Sequence, residues 1–193
     1  MELIDIIRNR RSIRKYSNQK IDRETLTTIA EAGLFAPNAG GRQGTKIIML
    51  DDAELIENIG VVNAGCENRN WNMGVSSDQP SIIDDKNIKS GFYGCQALAM
   101  VCIKRSSKAA VNAIGTAFVC AENMVLEAFD LGVSSVIVGR AEATFDRPEM
   151  SGMLDKLGLD PEYMPIVFVC LGYIEGPYPK IKPRNEGRLI MYP

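Results

Sequence analysis

Within eight residues, Arg10-Arg11-Ser12-Ile13-Arg14-Lys15-Tyr16-Ser17 sets four cations beside hydroxyl side chains, in a chain whose formal net charge is −2. Guanidinium forks and hydroxyls held close together are what recognition of a phosphate monoester requires, because they meet several of its oxygens at once. Each charge-assisted hydrogen bond contributes roughly 1.5–3 kcal/mol, so two or three hold such an anion. A solvated basic turn is the alternative reading of the same stretch. A second candidate is Pro37-Asn38-Ala39-Gly40-Gly41-Arg42-Gln43-Gly44. Its glycines let backbone approach a ligand closely and its amides can donate and accept, although a plain flexible connection has the same composition. A further basic cluster, Lys180, Lys182, Arg184 and Arg188, lies near the end of the chain.

Other chemistries are excluded by what is missing. The sequence contains no histidine, which rules out Ser-His-Asp and Cys-His nucleophiles and every His-ligated metal site. Its five cysteines are Cys66, Cys95, Cys102, Cys120 and Cys170. They form no CxxC pair and sit mostly in apolar runs, so they read as free core thiols in a reducing compartment and not as redox partners or metal ligands. An enzyme built on this chain therefore needs a cofactor to carry its chemistry. A pI near 5.3 argues against a general nucleic-acid binder. No run reaches the roughly 18 apolar residues of a membrane span, and the N-terminal arginines follow the apolar residues, the reverse of a signal peptide. The expectation is a cytoplasmic protein with no membrane or nucleic-acid partner.

The elements that must position these residues follow from periodicity. At 193 residues the chain predicts one domain with a sizeable core. Leu3-Ile4-Asp5-Ile6-Ile7 can form a short amphipathic helix before the basic stretch. Asp22 to Ala36 predicts a helix with Asp22 as N-cap and Pro37 as its end. Thr45–Leu50 predicts a strand, Ala53 to about Ala64 a helix, and Ala97–Lys104 a second strand. Residues 65–90 are polar, include Trp71, and read as a lid or loop in which Trp71 stacks on a planar ligand or simply packs. Residues 108–131 predict the longest helix, apolar over most of its circumference and so buried on most sides, in the domain or in a dimer interface. Gly132 ends it, and Val133–Val138 forms a third strand leading into Gly139-Arg140. A helix over Arg147–Leu157 and a fully buried strand over Pro165–Gly172 complete the core. Pro177, Pro179, Pro183 and Pro193 make residues 174–193 an extended arm of the kind that lies on a partner subunit. Alternating strands and helices indicate α/β or α+β layering.

Taken together, the order of these pieces resembles the FMN-dependent nitroreductase family along the whole chain. The resemblance rests on Arg10-Arg11-Ser12-Ile13-Arg14 after a first short helix and on Ala36-Pro37-Asn38-Ala39-Gly40-Gly41-Arg42-Gln43 closing the second. It rests also on Asn123 in a long apolar helix leading to Leu131-Gly132-Val133, and on Gly172-Tyr173 followed by a proline-rich arm with Lys182-Pro183-Arg184. The family implies an α+β fold, a three-layer α/β/α arrangement around a mixed, mainly antiparallel sheet. It implies an intertwined homodimer with two FMN sites in the interface and each C-terminal arm on the neighbour.

By the same resemblance, Arg10, Arg11, Ser12 and Arg14 would hold the FMN phosphate and ribityl chain, with Lys182 and Arg184 completing the phosphate site. Pro37 and Asn38 would lie along the flavin from one subunit, with Ala39 and Gly41 approaching from the other. Gln43 is retained from the family loop, Gly41 stands in place of its asparagine, and Gly44-Thr45 in place of its proline-tryptophan. Backbone at Val138, Gly139 and Arg140 would face the flavin's reactive edge, and Thr116 would touch the ring. The implied activity passes electrons from NADH or NADPH through the flavin to a small-molecule acceptor, such as a nitroaromatic or quinone, by a ping-pong mechanism. A flavin-binding store or electron carrier without turnover is the alternative.

Overall fold

The computed structural model describes residues 1–66, 88–105 and 110–192. Trp71 and most of the segment expected to act as a lid lie outside the described residues. The chain runs α1 (Leu3–Asn9), α2 (Arg23–Leu34), β1 (Thr45–Leu50), α3 (Ala53–Ala64), β2 (Ala97–Lys104), α4 (Ala110–Asp130), β3 (Ser134–Val138), α5 (Ala141–Phe145), α6 (Met153–Lys156) and β4 (Tyr163–Gly172). Short 3-10 turns lie at Ala39–Gly41 and Pro148–Met150. Helix starts follow local chemistry. Asp22 accepts from the Thr25 N–H at 2.8 Å and from its hydroxyl at 2.7 Å, and Asp52 accepts from Leu55 N–H at 2.9 Å. Each aspartate satisfies an amide that the first helical turn leaves unpaired. The Thr25 amide, more than its hydroxyl, holds the Asp22 carboxyl below its usual range.

The four strands form one sheet in the order β1-β2-β4-β3, with every neighbouring pair antiparallel. A parallel bridge between Ser12 and Ser135 on the free edge of β3 adds the mixed character. Helices cover both faces. α2 and α4 pack on one side through Leu26, Ile29, Ala121, Met124 and Val125, and α3, α5 and α6 on the other through Ile56, Ile59, Ala141 and Leu154. Successive strand residues point to opposite faces. In β4, Phe168 and Cys170 therefore enter the second core, and Val167, Val169 and Leu171 the first. Both faces being covered, the strand reads as an unbroken apolar run.

The basic stretch is seated on this sheet by backbone and by one ring. Ile13 N–H donates to Ser135 O at 3.0 Å, Ser17 N–H to Tyr173 O at 2.8 Å, and Glu175 N–H to Lys15 O at 3.0 Å. Tyr16 packs against the backbone of Gly172, where an added Cβ would stand 2.6 Å from the ring, and its hydroxyl donates to Ile13 O at 2.7 Å. Burial pushes the Tyr16 phenol well above its ordinary value, so it remains a neutral donor.

Several expectations are corrected. The helix expected over Arg147–Leu157 is broken into the 3-10 turn Pro148–Met150 and α6, with Gly152 at φ +71° between them; that left-handed residue cannot continue a right-handed helix. α5 was not anticipated, because five residues carry little periodicity. β4 begins earlier than expected, at Tyr163, and Pro165, opposite Cys102, lies beside the register shift between Val101 and Cys102, the kind of irregularity at which a strand tolerates proline. The expectation for α4, burial in the domain or in a dimer interface, is not among those corrected: within this chain Phe118 is 43% exposed and Val119 39%.

All five cysteines are free and buried. Burial pushes the Cys102 thiol up to about 12 and Cys120 up to about 11. Unfolded thiols ionise near 8.5, so from about that pH the unfolded state has lost protons that the native state still holds, and stability falls as pH rises. Urea midpoints are therefore expected to be flat at neutral pH and to decline from roughly pH 9 towards 11. In the native protein at pH 8 a thiol reagent should label none of the five at the rate of a free cysteine. Fast labelling of all five would contradict this packing.

Candidate functional site

Arg10, Arg11, Ser12 and Arg14 leave α1 as one extended loop along the edge of β3, and their roles diverge. Arg11 is turned back on its own helix. One of its terminal nitrogens donates to Arg8 O at 2.8 Å and to Arg10 O at 2.5 Å, and its N–H donates to the Tyr178 hydroxyl at 2.8 Å. It caps α1, meeting carbonyls that a helix end leaves open. Arg10 reaches towards Glu122 on α4 at 3.8 Å, a distance too long for a firm pair. Arg14 is exposed and lies over the Tyr93 ring at 5.9 Å, within cation–π range. Among the described residues, Arg10 Nε, the second terminal nitrogen of Arg11 and Ser135 Oγ are buried without hydrogen-bond partners. Buried orphan donors carry a desolvation cost, and an oxygen-rich anion seated in the loop is the kind of group that relieves it.

β3 acts as a ruler. Ser12 meets Ser135 near its start, and Gly139 lies just past its end. At about 3.3 Å per residue the two points are roughly 13 Å apart. At the far end Val138 pairs with Phe168, and Arg140 adopts φ +66°. Arg140 does not reach outward. Its guanidinium donates to Cys66 O at 2.5 Å and to Asn63 Oδ1 at 3.4 Å. Among the described residues nothing lies within 4 Å of the position a Gly139 Cβ would take. Tyr93 stands between the two ends, touched by Arg14 and lining a small recess with Gly91 and Arg140. It too is left-handed, at φ +57°, a strained conformation for an aromatic residue and one that clusters at functional sites. Neither Tyr93 nor Asn63 was reached by the sequence reading. The signal for Tyr93 was slight: an aromatic residue before Gly94 at the entry to a strand.

The glycine loop forms a second group. Asn38 Oδ1 accepts from the Gln43 N–H at 2.9 Å and Asn38 O from the Gly41 N–H at 3.2 Å. The Asn38 side chain thus closes its own loop, with Gly40, Gly41 and Gln43 all at positive φ. Asn123 on α4 donates to Ala32 O at 3.1 Å and secures the end of α2 from which the loop departs. Asn38, Ala39, Arg42, Lys104, Asn112 and Thr116 line a cavity of about 300 Å³. The Thr116 hydroxyl bonds back to Asn112 O, and Lys104 is committed to Glu162 at 2.7 Å, which raises its pKa.

The structure therefore gathers Arg10, Ser12, Arg14, Val138, Gly139 and Arg140 along β3, and Asn38, Ala39, Gly41, Gln43 and Thr116 around the cavity. Asn112 at the cavity and Glu122 at Arg10 are separated on α4 by about 15 Å of helix axis. Pro37 is exposed at the entry to the glycine loop. Lys182 and Arg184 sit in an exposed arm and make no hydrogen bond or ion pair among the described residues. The arm packs on the chain's own α4 as far as Tyr178, which lies 6.0 Å from Phe129, and then leaves Ile181, Leu189, Ile190, Met191 and Tyr192 exposed. Among the described residues no helix is long and apolar enough to cross a membrane.

A family model described as the nitroreductase family matches residues 7–173. A Streptococcus pyogenes protein with the provisional name NAD(P)H nitroreductase is 26% identical over 190 residues, covering 90% of each chain. Among solved structures, a Bacteroides fragilis nitroreductase with bound FMN superposes with a TM-score of 0.80 at 23% identity, covering 100% of this chain and 99% of that one. A Desulfitobacterium hafniense nitroreductase with bound FMN gives 0.81 at 21% identity with the same coverage. The layers and strand order described above are thus shared by proteins of low sequence identity.

Proposed function

The chain belongs to the nitroreductase family, and on that premise we propose that it is an NAD(P)H-dependent FMN oxidoreductase acting as a homodimer. The observation that carries this reading is the row of groups along β3. Orphaned guanidinium donors lie at the Ser12–Ser135 end, and an open, left-handed backbone turn lies at the Gly139–Arg140 end. That donor set fits a flavin mononucleotide, whose phosphate needs the first end and whose ring needs the second. Arg10, Ser12 and Arg14 would hold the phosphate and ribityl chain. Arg11 shapes the loop by capping α1 and leaves one terminal nitrogen for the anion. The backbone at Val138, Gly139 and Arg140 would donate to the flavin edge.

Pro37, Asn38, Ala39, Gly41, Gln43 and Thr116 would serve the site of the neighbouring subunit, since within one chain they stand apart from the phosphate loop. The exposed apolar residues Leu3, Ile4 and Ile7 of α1 and Phe118 and Val119 of α4 would be covered in that dimer. Lys182 and Arg184 would reach a phosphate site through the arm over residues 174–193, lying on the partner. Bound FMN would supply the two-electron chemistry, taking hydride from NAD(P)H and returning electrons to a nitroaromatic, quinone or other conjugated acceptor that uses the same slot in turn. The chain's own contribution is orientation and electrostatics, with no side chain needed as an obligatory acid or base.

The deciding experiment is a visible spectrum of the purified protein, with FMN re-added, before and after anaerobic NAD(P)H. Flavin bands that bleach are the expected result. Bands that persist would favour a store or carrier, and absence of flavin binding on titration would overturn the reading.

A further inference from the structure

The one polar side chain of α3 that is wholly removed from solvent among the described residues is Asn63, and none of its hydrogen-bonding groups is idle. Its amide nitrogen donates to Gly139 O at 3.1 Å and to Thr144 Oγ1 at 2.9 Å. Its carbonyl oxygen accepts from Arg140 at 3.4 Å. Thr144 in turn donates to Arg140 O at 2.7 Å, and Arg140 ties the end of α3 through Cys66 O. Gly91 packs close to the same amide, where an added Cβ would stand 2.2 Å from Asn63 Oδ1.

Asn63 therefore holds Gly139 O on the α3 side, while Arg140 O accepts from the hydroxyl and, at 2.9 Å, from the N–H of Thr144 in the first turn of α5. In a trans peptide the N–H points opposite to the C=O, and no cis bond occurs among the described residues. A clamp on Gly139 O aims the N–H of Arg140, which shares its peptide unit, away from α3.

We infer that Asn63 is a positioning residue that sets the reduction potential of the bound flavin, acting with Thr144 through the Gly139–Arg140 peptide. This rests on the flavin reading proposed above. A donor fixed against the flavin edge favours the electron-rich reduced form over the oxidised form, because the hydrogen bond strengthens as negative charge develops at its acceptor. A donor free to turn away loses that preference. The clamp touches no phosphate-binding residue, so its effect falls on the balance between the two flavin states more than on retention of FMN.

The test is the midpoint potential of bound FMN in the full-length holoprotein, together with its dissociation constant. Asn63→Leu is close in shape and adds no charge. It is expected to bind oxidised FMN within about threefold of wild type and to lose about tenfold of the preference for reduced flavin, a potential lower by about 30 mV for a two-electron couple. An unchanged potential in folded, FMN-loaded N63L would overturn the inference while leaving the flavin reading intact. If N63L does not fold, the pair Thr144→Val and Thr144→Ser decides. The potential should drop in T144V and stay near wild type in T144S, which keeps the hydroxyl; equal potentials in the two would overturn it. Failure of the wild-type protein to bind FMN at all would instead remove the reading on which it rests.

Discussion

Replacing Arg10 and Arg14 together by alanine is expected to weaken FMN binding by about a hundredfold while leaving the fold intact. Two charge-assisted hydrogen bonds at roughly 1.5–3 kcal/mol each amount to about 3–6 kcal/mol, and each 1.4 kcal/mol is tenfold in affinity. The lower end applies, because Arg14 is exposed and solvent screens what it contributes. Neither arginine is needed for folding by any firm contact described above. Among the described residues Arg10 has a long approach to Glu122, and Arg14 its place over Tyr93. Titration of FMN-free protein, followed by quenching of flavin fluorescence at two salt concentrations, measures the loss. The wild-type affinity should fall with added salt more steeply than that of the double variant. If the folded double variant bound FMN within threefold of wild type at low salt, the phosphate would have to sit elsewhere.

Phe168→Ala is expected to cost about 3–5 kcal/mol of stability, the range for removing a large aromatic side chain from a close-packed core. In a domain of this size that lowers the melting temperature by about 10 °C. Phe168 is fully buried, meets Phe92 edge-on with ring centroids 4.8 Å apart and lies 6.2 Å from Phe145. Its backbone pairs with Val138. One side chain thus supports the turn that carries Tyr93, the end of β3 and helix α5. The loss should therefore also weaken FMN binding, although Phe168 lies beneath the site and forms none of its surface. Urea denaturation at fixed protein concentration checks the stability term, since the apparent stability of the proposed dimer would depend on concentration. A loss under 1 kcal/mol would mean that the core closes over the gap, and the support assigned to this ring would be wrong.

Legibility in the sequence tracked the range of each interaction. Asp22 was readable as an N-cap because its partner, Thr25, is three residues away. The end of α2 was readable because Pro37 cannot prolong a helix, and β2 and β4 because both of their faces are apolar. The broken helix after Arg147 was misread for a local reason of another kind. Gly152 takes a left-handed conformation that glycine permits but does not announce, since glycine is almost as comfortable inside the right-handed region.

Composition and motif order determined the class of protein: an acidic chain without histidine, a phosphate-type cluster after a first helix, a glycine loop after the second, and a proline arm. These depend on residue types and on spacings short enough for local chemistry to act. Only the tertiary structure decided which of the cations are free. Arg11 and Arg14 are alike in sequence, yet one caps a helix and the other stands over a ring. Only the fold brought Asn63 to Gly139 and Thr144, across separations of 76 and 81 residues, and Tyr93 to Arg14 and Arg140. A buried asparagine and a tyrosine before a glycine carry no pattern of their own. Their roles arise because the fold places the end of β3 beside the end of α3, and a buried amide must then spend its hydrogen bonds on whatever polar groups that packing brings within reach.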